Sequence, residues 1–197
     1  VNDAIPDTTK HARNTRKTRS TTDTPLWIDH LETPLGVLSI VVAGDALRAV
    51  GWTDGAKRTA RAPSPVAPVP RRDPAGLTSA LRAYFAGDVR ILDRLPVDVQ
   101  GTPFQNTVWR ALRDIPCGET VSYGELARRI GRPAAVRAVG LANGANPVGI
   151  VVPCHRVIGA SGALTGYAGG LPRKQWLLAH ESRLSCMQGS RPVHRNP

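Results

Sequence analysis

Cysteine is scarce in this chain. There are three in 197 residues, Cys117, Cys154 and Cys186, and no two form a C-x-x-C pair. An odd set without that spacing argues against both a disulfide framework and a cysteine-rich zinc site. A reducing, intracellular compartment is the expectation. No apolar run approaches the roughly 20 residues needed to span a bilayer. The N-terminus carries no apolar signal-peptide core either, so the expected setting is the cytoplasm, with no membrane partner. Acidic residues are also few, 15 Asp and Glu against 26 Lys and Arg.

The resulting formal charge of +11 is uneven: residues 101–181 carry +5 of it and residues 182–197 carry +3. A polyanion such as nucleic acid is the natural partner for that half. A merely solvated basic surface is the alternative.

Residues 1–24 are polar, Thr-rich and aperiodic, and read as a disordered basic arm. From Trp27 to Trp52, β-branched runs are broken by Pro34-Leu35-Gly36 and Ala43-Gly44-Asp45, the pattern of strand, turn, strand, turn, strand. The Pro-rich stretch 61–74 reads as a surface loop. Leu77, Leu81, Tyr84 and Phe85 share helical spacing, and "ILDRLPVDV" (91–99) reads as a short strand or extended connector. These elements make residues 25–100 an N-terminal α/β domain with a small antiparallel sheet plus helix. A boundary near Gly101 separates it from a mainly helical unit, 101–181, followed by a basic tail, 182–197.

In the second unit, Phe104, Val108, Leu112 and Ile115 form one helical stripe, with Arg110 and Arg113 off it. "SYGE" matches a capping box, with Ser122 as cap and Glu125 reaching back. That helix stops at Gly131, and Pro133 suits the first turn of the next. Two short helices across a tight Gly-Arg-Pro turn read as a helix-turn-helix, a shape also used for plain core architecture. On the second helix Arg137, Gly140, Leu141 and Gly144 share a face. A minor groove about 6 Å wide does not admit an ordinary helix roughly 10–12 Å across. Small residues there would allow a close approach, to DNA or to a neighbouring helix.

Cys154 stands beside His155 and Arg156 at the end of "IVVP". By itself the pair is a weak signal, since cysteine is most often buried filling. Its surroundings sharpen it. "SYGELARRIG", "AVRAVGLANGANP", "VVPCHRVIGASG", "GYAGGL" and "RKQWLLAHE" follow in that order. Together they resemble the signature of the O6-alkylguanine–DNA alkyltransferases, the methylated-DNA–protein-cysteine methyltransferases.

The resemblance implies a ribonuclease-H-like N-terminal domain followed by a winged helix-turn-helix-like one. It implies that Cys154 accepts an alkyl group, that His155 deprotonates it through a water, and that Glu181 orients the histidine. Tyr123 would assist the departing guanine, Arg137 would fill the gap left by a flipped base, and Asn146 would brace the turn before the cysteine. Gly140 and Gly144 would let the helix meet DNA. Val157, Tyr167 and Ala168 would form the base pocket. No cofactor and no metal are implied. The partner would be double-stranded DNA carrying O6-alkylguanine, with O4-alkylthymine a further candidate, bound by a monomer that could cluster along DNA.

The chemistry fits these residue types. Transfer is an in-line displacement at a saturated carbon, and sulfur must attack as thiolate, scarce at neutral pH for a thiol of pKa about 8.5. A positioned base contributes ~100- to 10,000-fold, and a donor at the departing oxygen lowers the barrier further. Flipping the base costs a few kcal/mol. Two other classes remain as alternatives. A non-catalytic lesion sensor on the same scaffold would lack the reactive cysteine. A Cys-His hydrolase would turn over and need an oxyanion hole. Cys117, Cys186, the four other histidines and the four tryptophans read as structural or incidental.

Overall fold

The β-branched runs fold as an antiparallel meander in the computed structural model, which describes residues 24–54 and 67–189. Strands β1 (Leu26–Thr33), β2 (Gly36–Ala43) and β3 (Ala46–Trp52) pair in succession. Alternation puts Leu38, Ile40 and Val42 of β2 into the main core, while Val41 and Ala43 join Leu26 and Ala49 in a smaller cluster on the other face. The arm at 1–24, except Thr24, lies outside the described residues, as do 55–66 and 190–197.

The end of the Pro-rich stretch is not all loop. Val69–Pro70 forms β4, parallel to β1 with Trp27 opposite Val69. The strand order is β3-β2-β1-β4, so the sheet is mixed where a wholly antiparallel one was expected. Proline is tolerated because β4 is an edge, where its missing N–H breaks no inner ladder.

Helix α1 (Leu77–Phe85) buries Leu77, Leu81 and Tyr84. Asp29 of β1 fastens the helix start, accepting from Thr78 Oγ1 at 2.7 Å and from the Asp73 N–H at 2.8 Å. The stretch after α1 differs from expectation. Val89–Arg94 winds into 3-10 turns, because Val89 and Leu92 sink into the core at helical spacing. Only then does the chain extend, with Leu47 N–H donating to Pro96 O and Asp98 N–H to Leu47 O, both at 2.9 Å.

Helix α2 (Pro103–Arg113) begins with a capping box between Thr102 and Gln105 that the sequence reading missed. The box expected at Ser122 is only half made. Ser122 accepts from the Glu125 N–H at 3.1 Å, but the Glu125 side chain pairs one turn on with Arg129. After β5 (Val121–Ser122) come α3 (Tyr123–Arg129) and α4 (Val136–Gly144). Then β6 (Val157–Ile158) returns parallel to β5, Val121 opposite Val157. Helix α5 (Leu171–Gly189) continues past residue 182, where a tail was expected to begin. Buried side chains of the sheet, of α1 and of the helical half belong to one core cluster. Among the described residues, no helix is long and apolar enough to cross a membrane.

Candidate active site

A strained turn delivers Cys154. Ile150 is fully buried at φ +72°, a conformation that costs a β-branched residue about 1–3 kcal/mol. The surroundings hold it there. Asn146 Nδ2 donates to Val152 O at 2.7 Å, and its Oδ1 accepts the Val148 N–H at 3.0 Å. Val50 of β3 grips the same turn from outside, donating to Pro147 O at 3.0 Å and accepting the Gly149 N–H at 2.9 Å. A Cβ on Gly149 would sit 3.1 Å from Val50 O, so glycine is what permits the close docking. From α4, Asn143 Nδ2 reaches the Cys154 carbonyl at 3.4 Å.

Cys154 opens a single 3-10 turn, Cys154–Arg156, and is 6% exposed. It lines an apolar cleft between β3 and this turn, with Trp52, Ile150, Tyr167 and Ala168 among the walls.

Behind the cysteine lies a buried ionic cluster. His155 Nε2 meets Glu181 Oε1 at 3.0 Å, and both side chains are fully buried. Arg156 clamps the same carboxylate, Nε on Oε2 at 2.8 Å and Nη2 on Oε1 at 2.9 Å, and its Nη1 donates to Ile115 O at 2.6 Å. Burial favours a neutral Glu181, but His155 and Arg156 hold its carboxyl far below the usual range. Burial also drives His155 below its ordinary value, outweighing the pull of Glu181. Arg156, which already balances that negative charge, adds to the lowering by disfavouring a second positive charge on the ring. A neutral imidazole donating from Nε2 carries its lone pair on Nδ1. Nδ1 is buried, with no hydrogen-bond partner among the described residues.

The structure brings Cys154, His155, Glu181, Asn146, Tyr167 and Ala168 together. The Tyr167 ring stands edge-on to His155, centroids 6.5 Å apart. Other expected site residues sit apart. Val157 is fully buried, and its carbonyl already accepts Lys174 Nζ at 2.6 Å. Tyr123 opens α3 outside the lining of the cleft, one residue beyond the β5–β6 pairing. On α4, Arg137 is exposed and Leu141 is 77% exposed. A Cβ on Gly140 would lie 3.9 Å from the Tyr123 ring, and one on Gly144 would meet nothing within 4 Å. Tight helix packing therefore does not account for these glycines.

Three participants escaped the sequence reading. Arg156 lies within the quoted motif, but a surface role is the default for arginine. In the sequence Tyr84 is only one of four residues at helical spacing. Lys174 is fully buried, bridging Val157 O and Thr165 O at 2.6 and 2.7 Å, so it fastens the 159–170 loop to β6. Burial lowers its ammonium below the ordinary value, against an opposing pull from Cys154. Its only sequence signal was a lysine at core spacing, three residues before Leu177. Among the described residues no three His, Cys, Asp or Glu side chains form a group that could hold a metal ion.

Comparison with known proteins bears on this site. Residues 103–183 match the family model for the 6-O-methylguanine DNA methyltransferase, DNA binding domain. A methylated-DNA–protein-cysteine methyltransferase from Shigella flexneri is 48% identical over 163 residues, spanning 79% of this chain and 95% of the relative. The crystal structure of Mycobacterium tuberculosis O6-methylguanine methyltransferase superposes with TM-score 0.69 at 41% identity, covering 85% of this chain and 96% of that one. A structure of Mycobacterium tuberculosis OGT in complex with DNA gives TM-score 0.68 at 45% identity, covering 79% and 92%.

Proposed function

The chain belongs to the methylated-DNA–protein-cysteine methyltransferases, and on that footing we propose that Cys154 is the sulfur that takes the alkyl group. Its function is DNA repair by alkyl transfer from a damaged base to a cysteine of the protein itself. The observation that carries the assignment to Cys154 is the buried His155–Glu181 pair on the next residue of the same 3-10 turn, with His155 Nδ1 left without a hydrogen-bond partner among the described residues.

The substrate is O6-alkylguanine in duplex DNA, flipped out of the stack. His155 Nδ1 takes the Cys154 proton through one solvent molecule, and Glu181 holds the ring so that this nitrogen is the acceptor. The thiolate attacks the alkyl carbon in line. A C–S bond forms, the C–O bond breaks, and the guanine departs with a proton or hydrogen bond from Tyr123. The product is a thioether with no hydrolytic route back, so each molecule acts once. Tyr167, Ala168 and the Val157 backbone frame the base, Asn146 fixes the turn, and no cofactor takes part.

DNA is met by α4. Arg137 fills the vacated stack, and Gly140 and Gly144 let the backbone come close to the minor groove, as the open space at Gly144 supports. In this reading residues 25–100 form a ribonuclease-H-like unit and 101–181 a winged helix-turn-helix-like one. The protein works as a monomer on cytoplasmic DNA, with O4-alkylthymine as a secondary substrate.

The test is stoichiometric. Duplex DNA carrying O6-methylguanine is mixed with limiting protein, and restored guanine is counted. One guanine per protein molecule is expected, and none with Cys154→Ala, which still binds the duplex. Repair by that variant, or many turnovers by the native chain, rejects the reading.

A further inference from the structure

One carboxylate oxygen joins the two halves of the molecule. Glu181 Oε1 accepts from His155 Nε2 at 3.0 Å and from the Tyr84 hydroxyl, brought by α1, also at 3.0 Å. Tyr84 is fully buried, and burial beside that carboxylate raises its phenol well above the usual range. It therefore remains a neutral donor at any working pH. Resting on the reading of His155 as the base, we propose that Tyr84 is a positioning residue for alkyl transfer, one that keeps His155 neutral by sharing the Glu181 oxygen that holds it.

The sign follows from charge. A carboxylate beside an imidazole stabilises the imidazolium and so raises the imidazole pKa. Each further donor on the same oxygen, Tyr84 Oη beside Arg156 Nη2 at 2.9 Å, spreads its negative charge and weakens that pull. Removing the Tyr84 hydroxyl returns charge to Oε1, and His155 then holds a proton to higher pH. A protonated His155 cannot accept from Cys154. Glu181 itself stays ionised without Tyr84, because Arg156 still binds both its oxygens.

The other groups around the pair are the same with and without the hydroxyl. Arg156 and Cys154 come from the 3-10 turn, and Lys174 from α5 acts on both His155 and Cys154. Cys117, before β5, acts on Tyr84 and Arg156. His180, next to Glu181, donates to the Tyr84 carbonyl at 2.9 Å and lies edge-on to its ring at 5.2 Å. The Tyr167 ring faces His155 from the loop. Tyr84→Phe removes a single O–H, and with it the action of Cys117 on the phenol, and leaves the His180, Arg156, Lys174 and Tyr167 contacts in place.

Two measurements on the full chain test the proposal. The rate of reaction with free O6-benzylguanine is followed against pH, and the His155 pKa is read by 15N NMR of its imidazole. In Tyr84→Phe both the acid limb of the rate and the NMR pKa should rise, by roughly half a pH unit to one unit. Replacing Tyr84 with 3-fluorotyrosine, a stronger donor, should move both the other way. A hydroxyl that only stabilises the core would lower the melting temperature and leave both readings in place, which overturns the proposal, as do shifts of one sign in both variants. If the NMR pKa moves while the native rate ignores the titration of His155, the role of Tyr84 in setting that basicity stands and the reading of His155 as base falls.

Discussion

The indole of Trp52 lies against the Cα of Gly169. A Cβ there would stand 2.6 Å from Trp52 Nε1 and 2.8 Å from Tyr167 Cε1. The end of β3 thereby sets the loop that carries Tyr167 and Ala168. Arg173 secures the same junction. It stacks over Trp52 at 4.4 Å, donates to Leu35 O and Gly169 O at 3.0 and 3.2 Å, and pairs with Asp54. Gly169→Ala should displace the loop and slow reaction with both free O6-benzylguanine and duplex substrate by at least about tenfold. Adding Trp52→Ala should recover part of the loss. Undiminished rates in Gly169→Ala would show that the loop position does not matter.

Glu181→Gln removes the carboxylate charge that pairs with buried Arg156. Breaking one partner of a buried pair costs about 3–5 kcal/mol, and urea denaturation should show a loss of that order. A change below about 1 kcal/mol would mean that Arg156 finds another partner or water.

Acid should weaken the fold in two stages. His155 has its folded pKa below the unfolded value of about 6.5. Its contribution is complete above that pH and declines as the pH falls below it, because the unfolded chain then binds a proton the native one refuses. Glu181 is likewise depressed, so its contribution declines only below the ordinary carboxylate range, near 4.5. Urea midpoints between pH 7.5 and 5 should fall for the native chain and fall less for His155→Asn. Identical slopes would place His155 in a more open setting.

Arg137 is exposed on the glycine-bearing face of α4. Arg137→Ala should slow repair of duplex DNA far more than reaction with free O6-benzylguanine. Leu141→Ala, on the same face, should weaken duplex binding with little change in its salt dependence, since no charge is lost. Equal slowing of both substrates by Arg137→Ala would remove its role in base extrusion.

Periodicity and turn chemistry made much of the fold legible. The meander from Leu26 to Trp52, the α1 stripe and the α2 stripe each follow from one-dimensional spacing. The Val89–Arg94 turns did not, because Pro96 and the surrounding β-branched residues suggest extension while Val89 and Leu92 obey the core. The Cys154–His155 neighbourhood was visible as a motif. Its support was not. Tyr84 is 97 residues from Glu181, and Gly169 touches a tryptophan more than a hundred residues earlier. Such partners are chosen by tertiary packing. Glu125 shows the opposite failure: a correct local motif lost one bond to a competing Arg129 nearby.

The most direct measurement follows the alkyl group itself. Native protein is reacted with duplex DNA bearing 13C-methyl O6-methylguanine, digested, and mapped by mass spectrometry. A single labelled methyl on Cys154, with no repair of a second aliquot of DNA, is the expected result. Label on Cys117 or Cys186, or continued repair of fresh DNA, would contradict it.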